Sequence, residues 1–152
     1  MGKEIERKFL IKGEIPYHLG EPTLIKQAYI FAEKGKHLRI RVSDGKAKLG
    51  LKYTGGPVRD EFEYEVEMED AVLMYLKSDL KVEKIRFNMS HSGLHFDYDI
   101  FPNGVKFIEI EFPDEKTSNQ FVKPDWLGEE ITGKSEYSNI TFAKEKLTFS
   151  KG

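Results

Sequence analysis

The sequence predicts an α+β domain, mainly antiparallel β, in which eight strands close into a barrel with a charged lumen and helices packed outside. Charged and apolar residues alternate along almost every extended stretch, as they do along strands with two different faces. Tight turns such as Asp44-Gly45 and Pro102-Asn103-Gly104 join neighbouring stretches as hairpins. Closure into a barrel is favoured because it removes unpaired sheet edges. The chain of 152 residues is expected to form a single domain over residues 1–152.

The predicted elements follow from changes in hydrophobic period along the chain. Period two predicts eight strands, at residues 3–12, 23–31, 37–43, 46–53, 58–68, 81–89, 94–101 and 105–112. From Glu69 the period becomes helical: Asp70 is expected to cap a helix. The apolar face of that helix, expected to cover the outside of the barrel, consists of Val72, Leu73, Leu76 and Leu80. Two further helices are predicted at residues 114–121 and 138–147, with a loop at residues 123–128.

Composition excludes several classes of function. The 24 basic and 26 acidic residues give a net charge of −2, which argues against a stable nucleic-acid partner and against a membrane surface. There is no cysteine, so disulfides and zinc–thiolate sites are excluded. Neither a signal peptide nor a long apolar run is present, and we therefore expect a cytoplasmic protein.

The polar face of the predicted strands carries an unusual pattern of paired charges. Instead of the mixed polar residues of an ordinary solvated face, it holds pairs at i, i+2: Glu4/Glu6, Arg39/Arg41, Glu61/Glu63, Lys84/Arg86, Asp97/Asp99 and Glu109/Glu111. Alternation alone leaves two alternatives open, a solvated outer face and a charged lumen, and the purity of the pattern favours the lumen. Clustered carboxylates repel one another, so a charged lumen is expected to hold divalent cations that bridge them to a polyanion.

A family resemblance begins with Glu4-Ile5-Glu6-Arg7-Lys8, which matches a Glu-x-Glu-x-Lys motif. The matching motifs continue in order with Leu38-Arg39-Ile40-Arg41, Leu51-Lys52, Glu61-Phe62-Glu63, Val82-Glu83-Lys84-Ile85-Arg86, Asp97-Tyr98-Asp99-Ile100-Phe101, Glu109-Ile110-Glu111-Phe112, Trp126-Leu127-Gly128-Glu129-Glu130-Ile131-Thr132 and Tyr137-Ser138-Asn139. Together they resemble the triphosphate tunnel metalloenzymes, also called the CYTH superfamily, over essentially the whole chain.

The resemblance implies an antiparallel tunnel that acts on a small-molecule triphosphate with Mg²⁺ or Mn²⁺, two ions per site, and it is closest to the tripolyphosphatases. The residues implied as metal ligands are Glu4, Glu6, Glu61, Glu63, Asp99, Glu109 and Glu111. Those implied to bind phosphate are Lys8, Arg39, Arg41, Lys52, Lys84 and Arg86. Lys52 and Tyr29 are implied as catalytic residues, with Tyr29 resembling a tunnel tyrosine that hydrogen-bonds the lysine.

Three other functions are weighed against a tripolyphosphatase. An adenylyl cyclase on the same fold would form cyclic AMP from ATP, and a non-catalytic protein would only bind triphosphate or polyphosphate. A lipocalin-like carrier needs an apolar lumen, which contradicts the paired charges.

A homodimer is one option for the assembly. Many relatives carry a basic pair before Tyr137-Ser138-Asn139, whereas this chain has Lys134-Ser135-Glu136, so closure of the tunnel mouth by this segment is left open.

Overall fold

A computed structural model describes residues 2–55 and 58–149, within which one nine-stranded antiparallel sheet is accompanied by three α-helices and a 3₁₀-helix. The strands are β1 Gly2–Ile11, β2 Thr23–Glu33, β3 Lys36–Ser43, β4 Lys46–Tyr53, β5 Val58–Glu65, β6 Leu80–His91, β7 Leu94–Ile100, β8 Lys106–Glu111 and β9 Leu127–Glu130. The helices are α1 Met68–Lys77, α2 Glu115–Gln120 and α3 Asn139–Lys144, with the 3₁₀-helix at Ser135–Tyr137. The single-domain prediction also covers residues 1, 56–57 and 150–152, which lie outside the described residues.

Eight strands form a closed ring in the order β5-β4-β3-β2-β6-β7-β8-β1, and β1 closes it by pairing with β5. The first part of β1, Gly2–Ile5, pairs with β5, while its continuation, Glu6–Leu10, pairs with β8 on the other edge. The predicted antiparallel tunnel is thereby confirmed. Hairpins connect the strands from β2 to β5 and from β6 to β8, and both residues of the Asp44-Gly45 turn have positive φ, at 53° and 74°.

The ninth strand was not predicted, because residues 123–128 lack a clear alternating pattern. β9 pairs with the end of β1, on the edge that β5 leaves free, through Phe9↔Glu130 and Ile11↔Leu127. Gly128 permits this close approach, since a Cβ at its position would lie 3.3 Å from the Leu10 carbonyl oxygen. The loop prediction was therefore wrong for Leu127 and Gly128.

The apolar residues of the ring face outward and form the core together with the helices. One cluster surrounds Phe9, Phe96 and Ile108, and a second packs Phe142 of α3 against Phe101 and other apolar side chains of the ring. The paired charged residues of the same strands face inward, where all of them except Asp99 line one cavity. The choice that alternation left open is thus decided in favour of a charged lumen.

Helix α1 packs on the barrel with a face other than the predicted one. Val72, Leu73 and Leu76 are exposed, and Leu80 belongs to β6. The helix begins at Met68 with Glu67 as its N-cap, three residues before the predicted cap Asp70, which lies inside the first turn. Its buried side is centred on Ala71, which packs against Ala28, Ile40 and Ala47 of the ring. Met68, Met74 and Tyr75 flank this contact. The error arose because Met68 continues the alternation of β5 and was assigned to that strand.

None of the helices in residues 2–55 and 58–149 combines the length and the apolar character needed to cross a membrane.

Candidate active site in the tunnel

The lumen contains a cavity of about 200 Å³ whose lining is dominated by charged side chains. Of the predicted site residues, those that line it are Glu4, Glu6, Lys8, Tyr29, Arg39, Arg41, Lys52, Glu61, Glu63, Lys84, Arg86, Glu109 and Glu111. Strand register brings them together: Glu6 lies opposite Glu111, and Lys8 lies opposite Glu109, on the pair β1–β8. Because side chains at i and i+2 share a face, each paired motif contributes both members to the lumen.

On β1, the Glu4 and Glu6 carboxylates share the cation Arg59, and Glu4 has Lys52 as a second partner. Lys52 Nζ lies 3.2 Å from Glu4, and Arg59 lies 3.3 Å from Glu4 and 2.8 Å from Glu6. Burial and the neighbouring Glu109 raise the pKa of Glu6 to about 8, although Lys52 and Arg59 oppose the shift. In the metal-free site this shift favours the protonated form of Glu6.

The two acids of β8 have different electrostatic surroundings. Burial disfavours ionisation of Glu109, but Lys8, Lys84 and Arg86 outweigh it and hold its pKa well below the ordinary value. Burial and the nearby Asp97 raise the pKa of Glu111. Glu109 is thus a fixed negative charge in the middle of the cations, while Glu111 experiences repulsion from other acids.

Asp99 differs from the other predicted metal ligands because it lies behind the cavity lining. It is fully buried, and Arg86 donates to its two oxygens at 2.7 and 2.9 Å. Lys84 Nζ is 3.0 Å from Oδ2. A metal ion could reach Asp99 only by displacing these cations, so in this arrangement Asp99 holds Lys84 and Arg86 in place.

Two further predicted cations, Arg39 and Lys52, also have carboxylate partners. Arg39 lies 3.6 Å from Glu61 and 3.7 Å from Glu63, and Lys52 lies 3.3 Å from Glu61. Burial lowers the pKa of Lys84 to about 7, with Asp99 working in the opposite direction. Arg41, discussed below, is bound to a neutral side chain.

The segment Tyr137–Asn139 borders the charged cavity, and Ser138 and Asn139 belong to its lining. Lys8 Nζ donates to the Tyr137 carbonyl at 3.2 Å, and Lys84 Nζ donates to Asn139 Oδ1 at 3.1 Å. Ser138 caps α3 by accepting a hydrogen bond from the Thr141 amide at 3.2 Å. An adjoining cavity of about 480 Å³ shares Lys8 with the charged one and extends to Lys134, which forms an ion pair with Glu129.

Several residues that line the cavity received no role in the site from the sequence, and for three of them alternation carried a usable signal; one of these, Asp97, was placed on the charged face but not among the metal ligands. His37, Arg59 and Asp97 lie on the charged face of their strands and line the cavity; Asn139, the first residue of α3, lines it as well. His37 packs edge-on against Tyr29, with ring centroids 5.5 Å apart. Burial and Lys52 lower the pKa of His37, which is therefore neutral at pH 7. The predicted hydrogen bond between Tyr29 and Lys52 stays a prediction, since Lys52 contacts Glu4 and Glu61 here.

The tunnel carboxylates are suitable ligands for a hard divalent cation, but in this structure they are not arranged around a common point as a metal centre requires. Glu4 Oε1 is buried and accepts no hydrogen bond from any described residue, and its contacts with Lys52 and Arg59 at 3.2 and 3.3 Å are ion pairs only. Carboxylate oxygens are the ligands that Mg²⁺ and Mn²⁺ prefer. Within the described residues, however, no three acidic or histidine side chains are close enough together to hold an ion. Binding at Glu4 and Glu6 thus requires Arg59 and Lys52 to shift.

Comparison with known proteins agrees with this geometry. The sequence pattern of the CYTH domain family matches residues 2–144. The chain belongs to the CYTH family. An inorganic triphosphatase of Acetivibrio thermocellus is 39% identical to it over 95% of both chains. An inorganic triphosphatase of Nitrosomonas europaea is 29% identical over 92% of this chain and 96% of the relative.

Solved structures share the same CYTH tunnel. The crystal structure of an inorganic triphosphatase superposes with a TM-score of 0.67 at 26% identity, covering 93% of this chain and 94% of that one. A putative adenylate cyclase from Bacillus halodurans superposes with a TM-score of 0.56 at 19% identity, over 78% of this chain and 86% of the other. At that identity the second likeness concerns the fold alone.

Proposed function

We propose that this CYTH protein is a metal-dependent triphosphatase that hydrolyses the terminal phosphoanhydride of inorganic tripolyphosphate, with weaker action on nucleoside triphosphates. The observation that carries the proposal is the cavity of about 200 Å³, in which the acids of β1 and β8 face cations from β3, β4 and β6. Relatives named inorganic triphosphatase that match along nearly their whole length support the same activity.

The size and lining of the cavity favour an inorganic substrate. A bare triphosphate chain is a compact polyanion, and a lining of arginine and lysine side chains matches its oxygens along its length. An organic group at one end would have to extend into the adjoining cavity near Lys134 and Ser135. Nucleoside triphosphates are therefore expected to be weaker substrates.

In this proposal Glu4, Glu6, Glu109 and Glu111 hold Mg²⁺ or Mn²⁺, and Glu61, Glu63 and Asp99 remain candidates for a second ion. When bound, the metal neutralises charge on the phosphates and supplies an activated water for in-line attack. Asp99 would serve such an ion only after release of Lys84 and Arg86.

The cations of the chain bind and orient the phosphates. Lys8 and Lys84 line the cavity beside the segment Tyr137–Asn139, where their ammonium groups contact Tyr137 and Asn139. Arg39, Arg41, Lys52 and Arg86 line the rest of the wall. Fixed positive charges that surround the scissile phosphoryl group stabilise the charge that shifts to the leaving pyrophosphate oxygen.

A phosphate-release screen tests the proposed function. Tripolyphosphate, ATP, thiamine triphosphate and pyrophosphate are each supplied with Mg²⁺ or Mn²⁺, and cyclic AMP is measured in the ATP reaction. We expect tripolyphosphate to be the best substrate and excess chelator to abolish turnover. Cyclic AMP as the main product would instead identify a cyclase, and tight triphosphate binding without product would identify a non-catalytic binding protein.

A further inference from the structure

Gln27 is a fully buried residue on the tunnel face of β2, directly opposite Arg41 in the β2–β3 register. Its Oε1 accepts two hydrogen bonds from Arg41, from Nε at 2.8 Å and from Nη2 at 2.6 Å. Since a guanidinium can only donate, the amide oxygen must face Arg41. The Gln27 Nε2 group is left as a buried donor without a hydrogen-bond partner among the described residues.

Arg41 is exceptional among the five arginines of the chain because its direct partner carries no charge. Each of the other four lies within 4.0 Å of at least one carboxylate. The pairs are Arg7 with Glu130, Arg39 with Glu61 and Glu63, Arg59 with Glu4 and Glu6, and Arg86 with Asp97, Asp99 and Glu109. Within residues 2–55 and 58–149, no ion pair of Arg41 falls within that distance. Arg41 thus brings a positive charge into the lumen that no carboxylate directly cancels.

The position of Arg41 makes this charge relevant to an anion in the tunnel. Its side chain lines the charged cavity and also a second cavity of about 280 Å³ that is bounded by Thr23, Ser43 and Asn88. Arg41 therefore lies where the two cavities meet. A polyanion in the charged cavity encounters a cation there that has not already been paired.

We propose that Gln27 is a positioning residue that sets the affinity for the polyanion, because it orients Arg41 through two hydrogen bonds while leaving the charge of Arg41 to the phosphate. This inference rests on the proposed function. Glutamate has nearly the shape of glutamine and would accept the same two hydrogen bonds, but it would cancel the charge and repel a phosphate. Substitutions at position 27 can therefore separate the effect of orienting Arg41 from the effect of leaving its charge uncancelled.

Two variants and a control test the proposal. Gln27→Glu keeps a side-chain oxygen that can accept the hydrogen bonds of Arg41 but adds a negative charge. Gln27→Met keeps the side chain uncharged but removes that oxygen. Asn88→Asp makes the same amide-to-carboxylate change at an exposed position of the second cavity. For each protein, kcat and KM are measured with tripolyphosphate, together with the Kd of tripolyphosphate by calorimetry and the melting temperature.

We expect Gln27→Glu to raise KM and Kd at least about tenfold, the scale of a lost charge-assisted contact, without lowering the melting temperature. Gln27→Met should raise KM less, and Asn88→Asp should stay within about twofold of wild type. A Gln27→Glu protein with wild-type KM and Kd overturns the proposal, as does a larger effect of methionine than of glutamate, which would mean that Gln27 only holds Arg41 in place.

If the protein is not a triphosphatase, the same measurements give a result that differs from failure of the Gln27 proposal. Wild-type protein that binds tripolyphosphate without cleaving it overturns the hydrolase, while the Kd comparison still decides the role of Gln27. Wild-type protein that does not bind tripolyphosphate overturns both. If Gln27→Glu does not fold, Gln27→Met decides alone, and an unchanged KM in that variant overturns the proposal.

Discussion

Arg59 donates a hydrogen bond to Glu6 over 2.8 Å and lies 3.3 Å from Glu4, so a guanidinium occupies the space between two proposed metal ligands. Burial and the neighbouring acids disfavour ionisation of Glu6, and the positive charge of Arg59 offsets part of that cost. Arg59 therefore stabilises the metal-free tunnel and competes with a metal ion for the same carboxylates.

Replacing Arg59 should separate these two effects. We expect Arg59→Gln to destabilise the metal-free protein by about 1–3 kcal/mol, because it leaves two partly buried carboxylates without their shared cation. The variant should nevertheless bind Mn²⁺ more tightly and gain more melting temperature from a given Mn²⁺ concentration. Thermal unfolding at a series of Mn²⁺ concentrations measures both quantities.

The control for Arg59 is Lys3→Gln, since the pair Lys3–Asp60 lies on the same two strands but is exposed. Its loss should change stability by less than about 1 kcal/mol and leave the response to Mn²⁺ unchanged. If Arg59→Gln binds Mn²⁺ no more tightly than wild type, Arg59 does not compete with the metal.

The raised pKa of Glu6 predicts how the stability of the metal-free protein depends on pH. A carboxyl group with a pKa of 4.5 when unfolded and about 8 when folded retains more protons in the folded state between these values. Its contribution to stability is complete below pH 4.5 and is lost as pH rises through 8. Glu6→Gln should therefore flatten the decline in unfolding free energy between pH 5 and pH 7.

Other groups act within this range, so the test is the difference between wild type and Glu6→Gln. His37 has a lowered pKa and makes the protein more stable as pH rises toward 6.5. Lys84, with a pKa lowered to about 7, adds stability mainly above pH 7. Equal slopes in wild type and Glu6→Gln would mean that Glu6 is already ionised at neutral pH.

Neutralising Glu111 should separate activity from folding. Glu111→Gln is expected to lower kcat at least about 100-fold, the scale for loss of one electrostatic group in an active site. Its metal-free melting temperature should be no lower than that of wild type, because glutamine removes repulsion from Asp97 and Glu4. The exposed Glu21→Gln serves as a control for both measurements. Wild-type turnover, or melting well below wild type, contradicts the assignment.

Asp99 can be tested as a metal ligand against its observed role of holding two cations. Asp99→Asn leaves Lys84 and Arg86 buried without their shared carboxylate, which should cost about 3–5 kcal/mol of stability. If Asp99 only positions these cations, KM for tripolyphosphate should rise while the Kd of Mn²⁺ stays unchanged. A Kd of Mn²⁺ at least about tenfold weaker would instead identify Asp99 as a ligand of the metal.

Much of the tunnel could be predicted from the sequence because strand alternation specifies faces. The i, i+2 pairs such as Glu4/Glu6 and Arg39/Arg41 fix which side chains share the lumen, and the hairpin turns fix neighbouring strands. Alternation does not specify which cation contacts which acid. The hydrogen bonds that Arg86 donates to Asp99, the ion pair between Lys84 and Asp99, and the position of Arg59 between Glu4 and Glu6 depend on register across the ring.

The elements that were missed lack a strong periodic signal. β9 has four residues and depends on the edge of β1 that β5 leaves unpaired. Helix α1 has apolar residues on most of its circumference, so the small residues Ala28 and Ala47 of the barrel decide which face packs. Gln27 belongs to the lumen face of β2, but its role depends on Arg41, which only the three-dimensional register places opposite it.

The ratio of kcat/KM for tripolyphosphate to that for pyrophosphate, measured with saturating Mn²⁺, tests the proposed activity most directly. Cations distributed over β1, β3, β4 and β6 fit an extended polyanion, and a shorter one leaves some of them unpaired at a cost of a few kcal/mol. We predict a ratio of at least about 100 and complete loss of turnover in excess chelator. Comparable kcat/KM values for the two substrates, or full turnover in chelator, would contradict a metal-dependent triphosphatase.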